Sequence, residues 1–176
     1  MFKFWLKKKE KEISLHEMKE NFFSHPLHAW MHESPFVKRT LDAFLNSLPK
    51  EAINFMAQHE VLMLKSTGRY ALAVQPGSHV IVIFPELYNL LSSFSFDSAL
   101  MMIAHELGHI LYEHGQKTID PLTAQVEADR FAIHLGYGQE LEKFLLDQVE
   151  SVEKRTRLTY LTSQLILFQK IGRAHV

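Results

Sequence analysis

Two histidines four residues apart, with a glutamate after the first, are the residues of this 176-residue chain best placed to do chemistry: His105-Glu106-Leu107-Gly108-His109. On a helix, four residues turn about 400°, so the two imidazoles fall within roughly 40° of one face and can converge on one ion. Neutral imidazole nitrogens suit Zn²⁺, which takes a carboxylate as third protein ligand and leaves the fourth position to water. Glu106 is placed to take a proton from such a water, whose pKa the metal draws down towards about 7. Gly108 omits a side chain where a second element could come close. The helix that would carry the motif is "FDSALMMIAHELGHILYEHG", expected to open with Asp97 as its cap and to close at Gly115. Met101, Met102, Ile103, Leu107 and Ile110 give it apolar surroundings.

A third ligand has to come from elsewhere. His114 lies five residues beyond His109, about 140° round a continued helix, and is expected beside the site or in solvent. The next helix, "DPLTAQVEADRFAIHLG", has Asp120 as cap, Pro121 at its first position and Gly136 at its end. It offers Gln125, Glu127 and Asp129. Gln125 and Glu127 are about 200° apart, so they cannot both face one metal. An amide oxygen is neutral and binds zinc more weakly than a carboxylate. Helical periodicity does not decide among them; zinc's preference for a carboxylate makes Glu127 the expected third ligand, with Gln125 and Asp129 as the alternatives.

The motif His105 to His109, followed by Glu127-Ala128-Asp129 with Arg130, Phe131 and Ala132, resembles the gluzincin metallopeptidases. It is most similar to their small soluble members, the minigluzincins, and to the heat-shock and CAAX-processing relatives. The likeness spans about residues 97–136. It implies a zincin-like α+β fold: strands whose edge holds the substrate, an active-site helix, and a second helix bringing a glutamate to Zn²⁺. It implies hydrolysis of a peptide or protein substrate by a zinc-activated water. By the same likeness His105 and His109 are ligands, Glu106 is the catalytic base, and Asp129 is the acid that orients a ligand histidine. The chain departs from the pattern at one place. Many relatives carry the ligand glutamate four residues before that aspartate, where this chain has Gln125. If Gln125 faces the metal, the likeness implies a weak binder or an inactive relative, a zinc-binding module that engages a partner without cutting it.

The elements around the motif can be read from texture. "VLMLK", "RYALAV" and "HVIVIF" are short apolar runs separated by turn signals at 66–68 and 75–78. Three strands are expected, antiparallel because their connections are short, with "HVIVIF" the candidate to pair with an extended substrate. Tyr70, Tyr88 and Tyr112 could polarise an oxyanion, although a core or interface tyrosine is the ordinary reading. Ser34-Pro35 opens a helix that Pro49 stops, and a helix over 50–58 follows. Residues 13–34 form one or two short helices broken near Pro26. In that stretch His28 and His32 have ligand spacing but no carboxylate motif beside them. With His25 they are expected as surface histidines, the sharper alternative being a segment that covers the zinc cleft. Beyond residue 136 two more helices are expected, and Leu158, Leu161, Leu165 and Phe168 make a core or packing stripe.

Composition bounds the rest. With 47% hydrophobic and 22% charged residues the chain is globular. It has no cysteine, which excludes disulfides, thiolate metal sites and cysteine nucleophiles, so any transition-metal site must draw on its eleven histidines and its carboxylates. A net charge of −1 gives no basic field for nucleic acid. No run reaches the roughly 18 apolar residues of a membrane span. The start, "MFKFWLKKKEKE", is too short in its apolar part for a secretory signal, and a weak membrane-surface contact through Phe2, Phe4, Trp5 and the lysines is the most it suggests. A cytoplasmic location is expected. The expected organisation is an N-terminal segment over 1–34 without an assigned role, one metallopeptidase-like domain over 35–170, and a tail over 171–176. That tail, "IGRAHV", matches one reading frame of a common sequencing adapter and is expected to be non-native, so His175 carries no weight.

Overall fold

The structure, a computed structural model, describes residues 13–66 and 79–173, with side chains through residue 166. Local signals set most of the framework. Ser14 caps α1 (Leu15–Ser24), its hydroxyl accepting from the Glu17 N–H. Pro26 cannot continue that helix and instead starts a 3-10 turn over Pro26–His32. Ser34 and Pro35 open α2 (Pro35–Ser47), and α3 (Lys50–Gln58) follows Pro49. After the strands come α4 (Pro85–Leu91), α5 (Phe96–Leu111), α6 (Pro121–His134), α7 (Gly138–Leu146) and α8 (Val152–Arg173).

The sheet departs from expectation. β1 (Val61–Lys65) and β2 (His79–Ile83) lie where "VLMLK" and "HVIVIF" stand, but they pair directly and in parallel, Val61 opposite His79 and Lys65 opposite Ile83. Alternating texture identifies strands; it does not identify partners. A parallel pair needs a connection of a dozen or more residues, and 66–78 supplies it. The expected "RYALAV" strand falls in that connection, outside the described residues. The chain is thus α+β, mostly helical, with a two-stranded parallel sheet among the described residues in place of an antiparallel three-stranded one.

One core joins the segment before residue 35 to the rest. Met18, Phe22, Trp30 and Met31 are buried with Val37, Leu41 and Phe44 of α2, Met63 of β1, Ile81 and Ile83 of β2, and Ile103 and Leu107 of α5. A second cluster joins Met101 and Ile133 to Leu141, Leu145 and Leu161. There the start of α7 presses on α8: a Cβ on Gly138 would lie 2.9 Å from Leu165 Cδ2. Leu161 is thus core, as the stripe reading expects, and Phe168 lies beyond the described side chains.

His28 belongs to that first core and not to the surface: it is 1% exposed. Its Nδ1 lies 2.6 Å from the Phe22 carbonyl, and its Nε2 accepts from the Met63 N–H at 2.9 Å. The Trp30 indole donates to the Met63 carbonyl at 3.0 Å. The N-terminal segment therefore takes both main-chain groups of one β1 residue, a long-range pairing that no local pattern announces. Burial holds the His28 imidazole below the ordinary histidine range, so it stays neutral, with His25 and Glu60 as the nearest titratable groups.

Replacing His28 by leucine would strand the buried Met63 N–H, at about 1–3 kcal/mol, and leave the Phe22 carbonyl with the His25 N–H alone. Urea unfolding is expected to show a loss of roughly 1–3 kcal/mol at neutral pH. Because the folded pKa is lowered, the His28 contribution is full above about pH 6.5 and falls as the unfolded chain takes up a proton that the folded one refuses. The fall in stability between pH 7 and 5 should therefore be shallower in the variant. An equal slope in both proteins would refute this role.

Candidate metal centre

The apolar face of α5 fixes its rotation. Ala99, Leu100, Ile103, Ala104 and Leu107 are buried, which turns His105 and His109 to a half-buried flank and Glu106 to solvent. Asp97 sits in the first turn and Ser95 takes the cap position, so the helix starts slightly earlier than its acidic residue suggests. Gly108 does what its lack of a side chain allows. A Cβ there would lie 3.0 Å from Ala128 Cα, 3.1 Å from the Ala128 carbonyl oxygen and 3.2 Å from Phe131 Cβ. α5 and α6 thus cross backbone to backbone at Gly108 and Ala128.

That crossing decides which side of α6 meets the histidines. With Ala128 under Gly108, Gln125 and Asp129, four residues apart, reach the same imidazole from one flank. Gln125 Oε1 lies 3.1 Å from His105 Nε2, and Asp129 Oδ1 lies 2.9 Å from His105 Nδ1. The latter contact is close but off the N–H axis. Asp129 is fully buried, and Arg157 of α8 grips it with two hydrogen bonds, Nε to Oδ2 at 2.7 Å and Nη2 to Oδ1 at 2.8 Å. Arg157 Nη1 also reaches Glu153 at 3.0 Å.

His109 has a different set of neighbours. Its Nε2 lies 3.1 Å from His105 Nε2, and its Nδ1 lies 2.8 Å from His114 Nδ1. His114 Nε2 in turn lies 2.9 Å from Glu127 Oε2. The helical projection of His114 does not apply, because α5 ends at Leu111 and Glu113 takes a left-handed conformation with φ 55°. The chain doubles back there and carries His114 onto His109, its side chain 6% exposed.

The protons in this network follow from the charges around it. Burial alone would raise the Asp129 pKa, but the contacts from His105 and Arg157 overcome it, and Asp129 stays ionised below the usual carboxylate range. Burial also pulls at the Arg157 guanidinium, and Asp129 and Glu153 more than restore it. Burial, then His105 and His114, push the His109 imidazole down to about 4, so it is neutral. A neutral imidazole carries one donor nitrogen and one acceptor. Against ionised Asp129, the His105 proton belongs on Nδ1. Against Glu127, the His114 proton belongs on Nε2, which makes His114 Nδ1 an acceptor and His109 Nδ1 the donor to it. With His105 in that tautomer, its Nε2 lone pair faces His109 Nε2 and Gln125 Oε1 at 3.1 Å each; with the proton on Nε2, the same contacts are ordinary hydrogen bonds.

Acceptors brought this close repel unless a proton or a cation lies among them. Zinc donors at 2.0–2.1 Å in a tetrahedron stand about 3.3 Å apart, close to the 3.1 Å separations here. Two of the three donor separations are thus compatible with a small divalent ion, with a neutral amide third. Among the described residues no three His, Asp or Glu side chains gather at one point. Of the residues singled out in sequence, the structure brings His105, His109, Gln125 and Asp129 together. It sets Glu127, 45% exposed, on His114 and away from the two expected ligands.

The other candidates lie elsewhere. His32 Nε2 meets the Phe23 carbonyl at 2.9 Å and His25 pairs with Glu60 at 3.2 Å, so these two do not converge with His28 on an ion. Tyr88 packs against Trp30 with Lys65 over its ring, Tyr112 packs beside His114, and Tyr70 lies outside the described residues. Arg157 went unremarked in sequence: an arginine beside a leucine stripe carries no distinctive signal.

Compared with protein-family models, with curated proteins and with solved structures, the chain has no match.

Proposed function

We propose that this chain is a zinc-dependent hydrolase of peptide bonds with a zincin-like arrangement of its site, in which His105, His109 and Gln125 hold the ion and Glu106 is the general base. The observation that supports the reading is the closeness of His105 Nε2 to both His109 Nε2 and Gln125 Oε1, 3.1 Å each. When bound there, the ion would supply a Lewis acid and a water of lowered pKa. The rest is done by the chain. Asp129 keeps the His105 proton on Nδ1, and Arg157 keeps Asp129 charged. Glu106, exposed one residue beyond His105, offers its carboxylate oxygens to the departing proton. Of the two strands, β2 is the candidate to align an extended substrate, since His28 and Trp30 occupy the Met63 main chain in β1. No helix among the described residues is long and apolar enough to cross a membrane. The expected cytoplasmic location and the expected contact of residues 1–12 with a membrane surface remain part of the proposal, the latter outside the described residues.

One feature favours a second reading. A neutral third donor weakens the hold on the ion, as in a zinc-binding module that engages a partner without cutting it. The two part in one experiment: zinc per chain and hydrolysis of an unstructured protein, for the unmodified chain and Glu106→Gln. The hydrolase reading expects near-stoichiometric zinc in both and activity at least about a hundredfold lower in the variant. Zinc without hydrolysis would move the assignment to the second reading. No zinc in either protein would refute both.

A further inference from the structure

We infer that Glu127 and His114 are positioning residues for His109, a relay that fixes its tautomer and so aims its Nε2 lone pair at the metal; the inference rests on the metal reading above. Glu127 Oε2 meets His114 Nε2 at 2.9 Å, and His114 Nδ1 meets His109 Nδ1 at 2.8 Å. Two nitrogens at that separation need one proton between them. The Glu127 carboxylate holds the His114 proton on Nε2, which leaves His114 Nδ1 free to accept the proton on His109 Nδ1. His109 Nε2 then has no proton and can only donate a lone pair.

The relay makes the site symmetric in logic. His105 has Asp129 on its Nδ1 directly, and His109 has Glu127 on its Nδ1 one imidazole removed. Both carboxylates come from α6, from opposite sides of the Gly108–Ala128 crossing. Backing each ligand imidazole with a carboxylate fixes ring orientation and strengthens the ligand. It also sets anionic charge beside a ligand set whose third member, Gln125, has none. The left-handed Glu113 earns its place here, because only a chain that doubles back after α5 brings His114 between the two groups.

The test uses the full chain labelled with ¹⁵N-histidine. In metal-free protein near neutral pH, imidazole ¹⁵N shifts are expected to show His109 protonated at Nδ1 and His114 at Nε2. Glu127→Ala and His114→Phe should each cost His109 its single tautomer and lower Zn²⁺ affinity, measured by chelator competition, by about 10–100-fold. Glu127→Gln, whose amide oxygen still accepts from His114, should keep the tautomer and lie within a few-fold of the unmodified chain. A purely structural role for the pair would leave the His109 tautomer unmoved. The relay is overturned if His109 carries its proton on Nε2, or if both disrupting variants bind zinc as the unmodified chain does. It is also overturned if Glu127→Ala abolishes binding while His114→Phe leaves it unchanged, since Glu127 would then be a direct ligand. Should the unmodified chain take up no zinc, the metal reading fails, and the tautomers of the metal-free protein still show whether the relay exists.

Discussion

Replacing Gln125 by glutamate is expected to tighten Zn²⁺ binding by about a hundredfold, roughly 2.7 kcal/mol. The two side chains are nearly the same shape, so the new carboxylate would take the place of an amide oxygen that already stands 3.1 Å from His105 Nε2. What changes is charge. A divalent ion and a carboxylate 2 Å apart attract by about 4 kcal/mol even at the dielectric constant of water, and part of this is offset by desolvation of the carboxylate. The same substitution should weaken the metal-free fold, because a full negative charge would then face two imidazole lone pairs. Thermal melts with and without Zn²⁺ should therefore diverge in the variant more than in the unmodified chain, and chelator competition gives the affinity itself. Unchanged or weaker binding would remove Gln125 from the third position. If the unmodified chain binds zinc without cutting peptides, this variant is also the one expected to gain hydrolysis.

The elements were legible wherever a local rule acts. Ser14, Ser34 and Asp120 cap helices, Pro26 breaks one, and Gly136 ends one with φ 94°. The pair His105 and His109 was legible because helical spacing alone puts two imidazoles together. The identity of its third neighbour was not. Read as sequence, the α6 stretch is apolar on two sides, Leu122, Val126 and Ile133 against Ala124, Ala128, Phe131 and Leu135. The choice between Gln125 and Glu127 depends on which side turns inward. Packing makes it: Ala128 is the residue that lies against Gly108, and Ala124, Ala128 and Phe131 are buried while Leu122 and Val126 are only partly so. Strand pairing was misread for a similar reason, since alternation carries no information on which strand lies beside which. His114 depended on where α5 stops, and the left-handed residue that stops it is a glutamate, not the glycine two positions on. In each case the missing information was a contact between elements.

The largest effect on stability is expected from Asp129→Ala, a loss of about 3–5 kcal/mol, because it leaves the Arg157 guanidinium buried with only the half-exposed Glu153 to answer it. Arg157 and Asp129 are 8% and 0% exposed, and two aligned hydrogen bonds join them. A buried pair of this kind owes its value to completeness. Taking the charges from water costs nearly what their attraction returns, whereas removing one partner leaves the other uncompensated. The double variant Asp129→Leu with Arg157→Met should therefore recover much of what the single variant loses, a non-additivity that a simple packing defect would not produce. The pH dependence has a definite sign. The Asp129 pKa is lowered in the folded chain, so its contribution is complete above the ordinary carboxylate range and is lost only as pH falls through the lowered value. The gap between the two proteins should hold constant from neutral pH down to about 5 and close only in stronger acid. Zinc separates this role from stability alone. The double variant, although refolded, has nothing on His105 Nδ1 to keep the lone pair on Nε2, so its affinity should stay about 10–100-fold below that of the unmodified chain. A single variant within about 1 kcal/mol of the unmodified chain would refute the electrostatic account of this core. Full zinc affinity in the double variant would refute the role of Asp129 at His105.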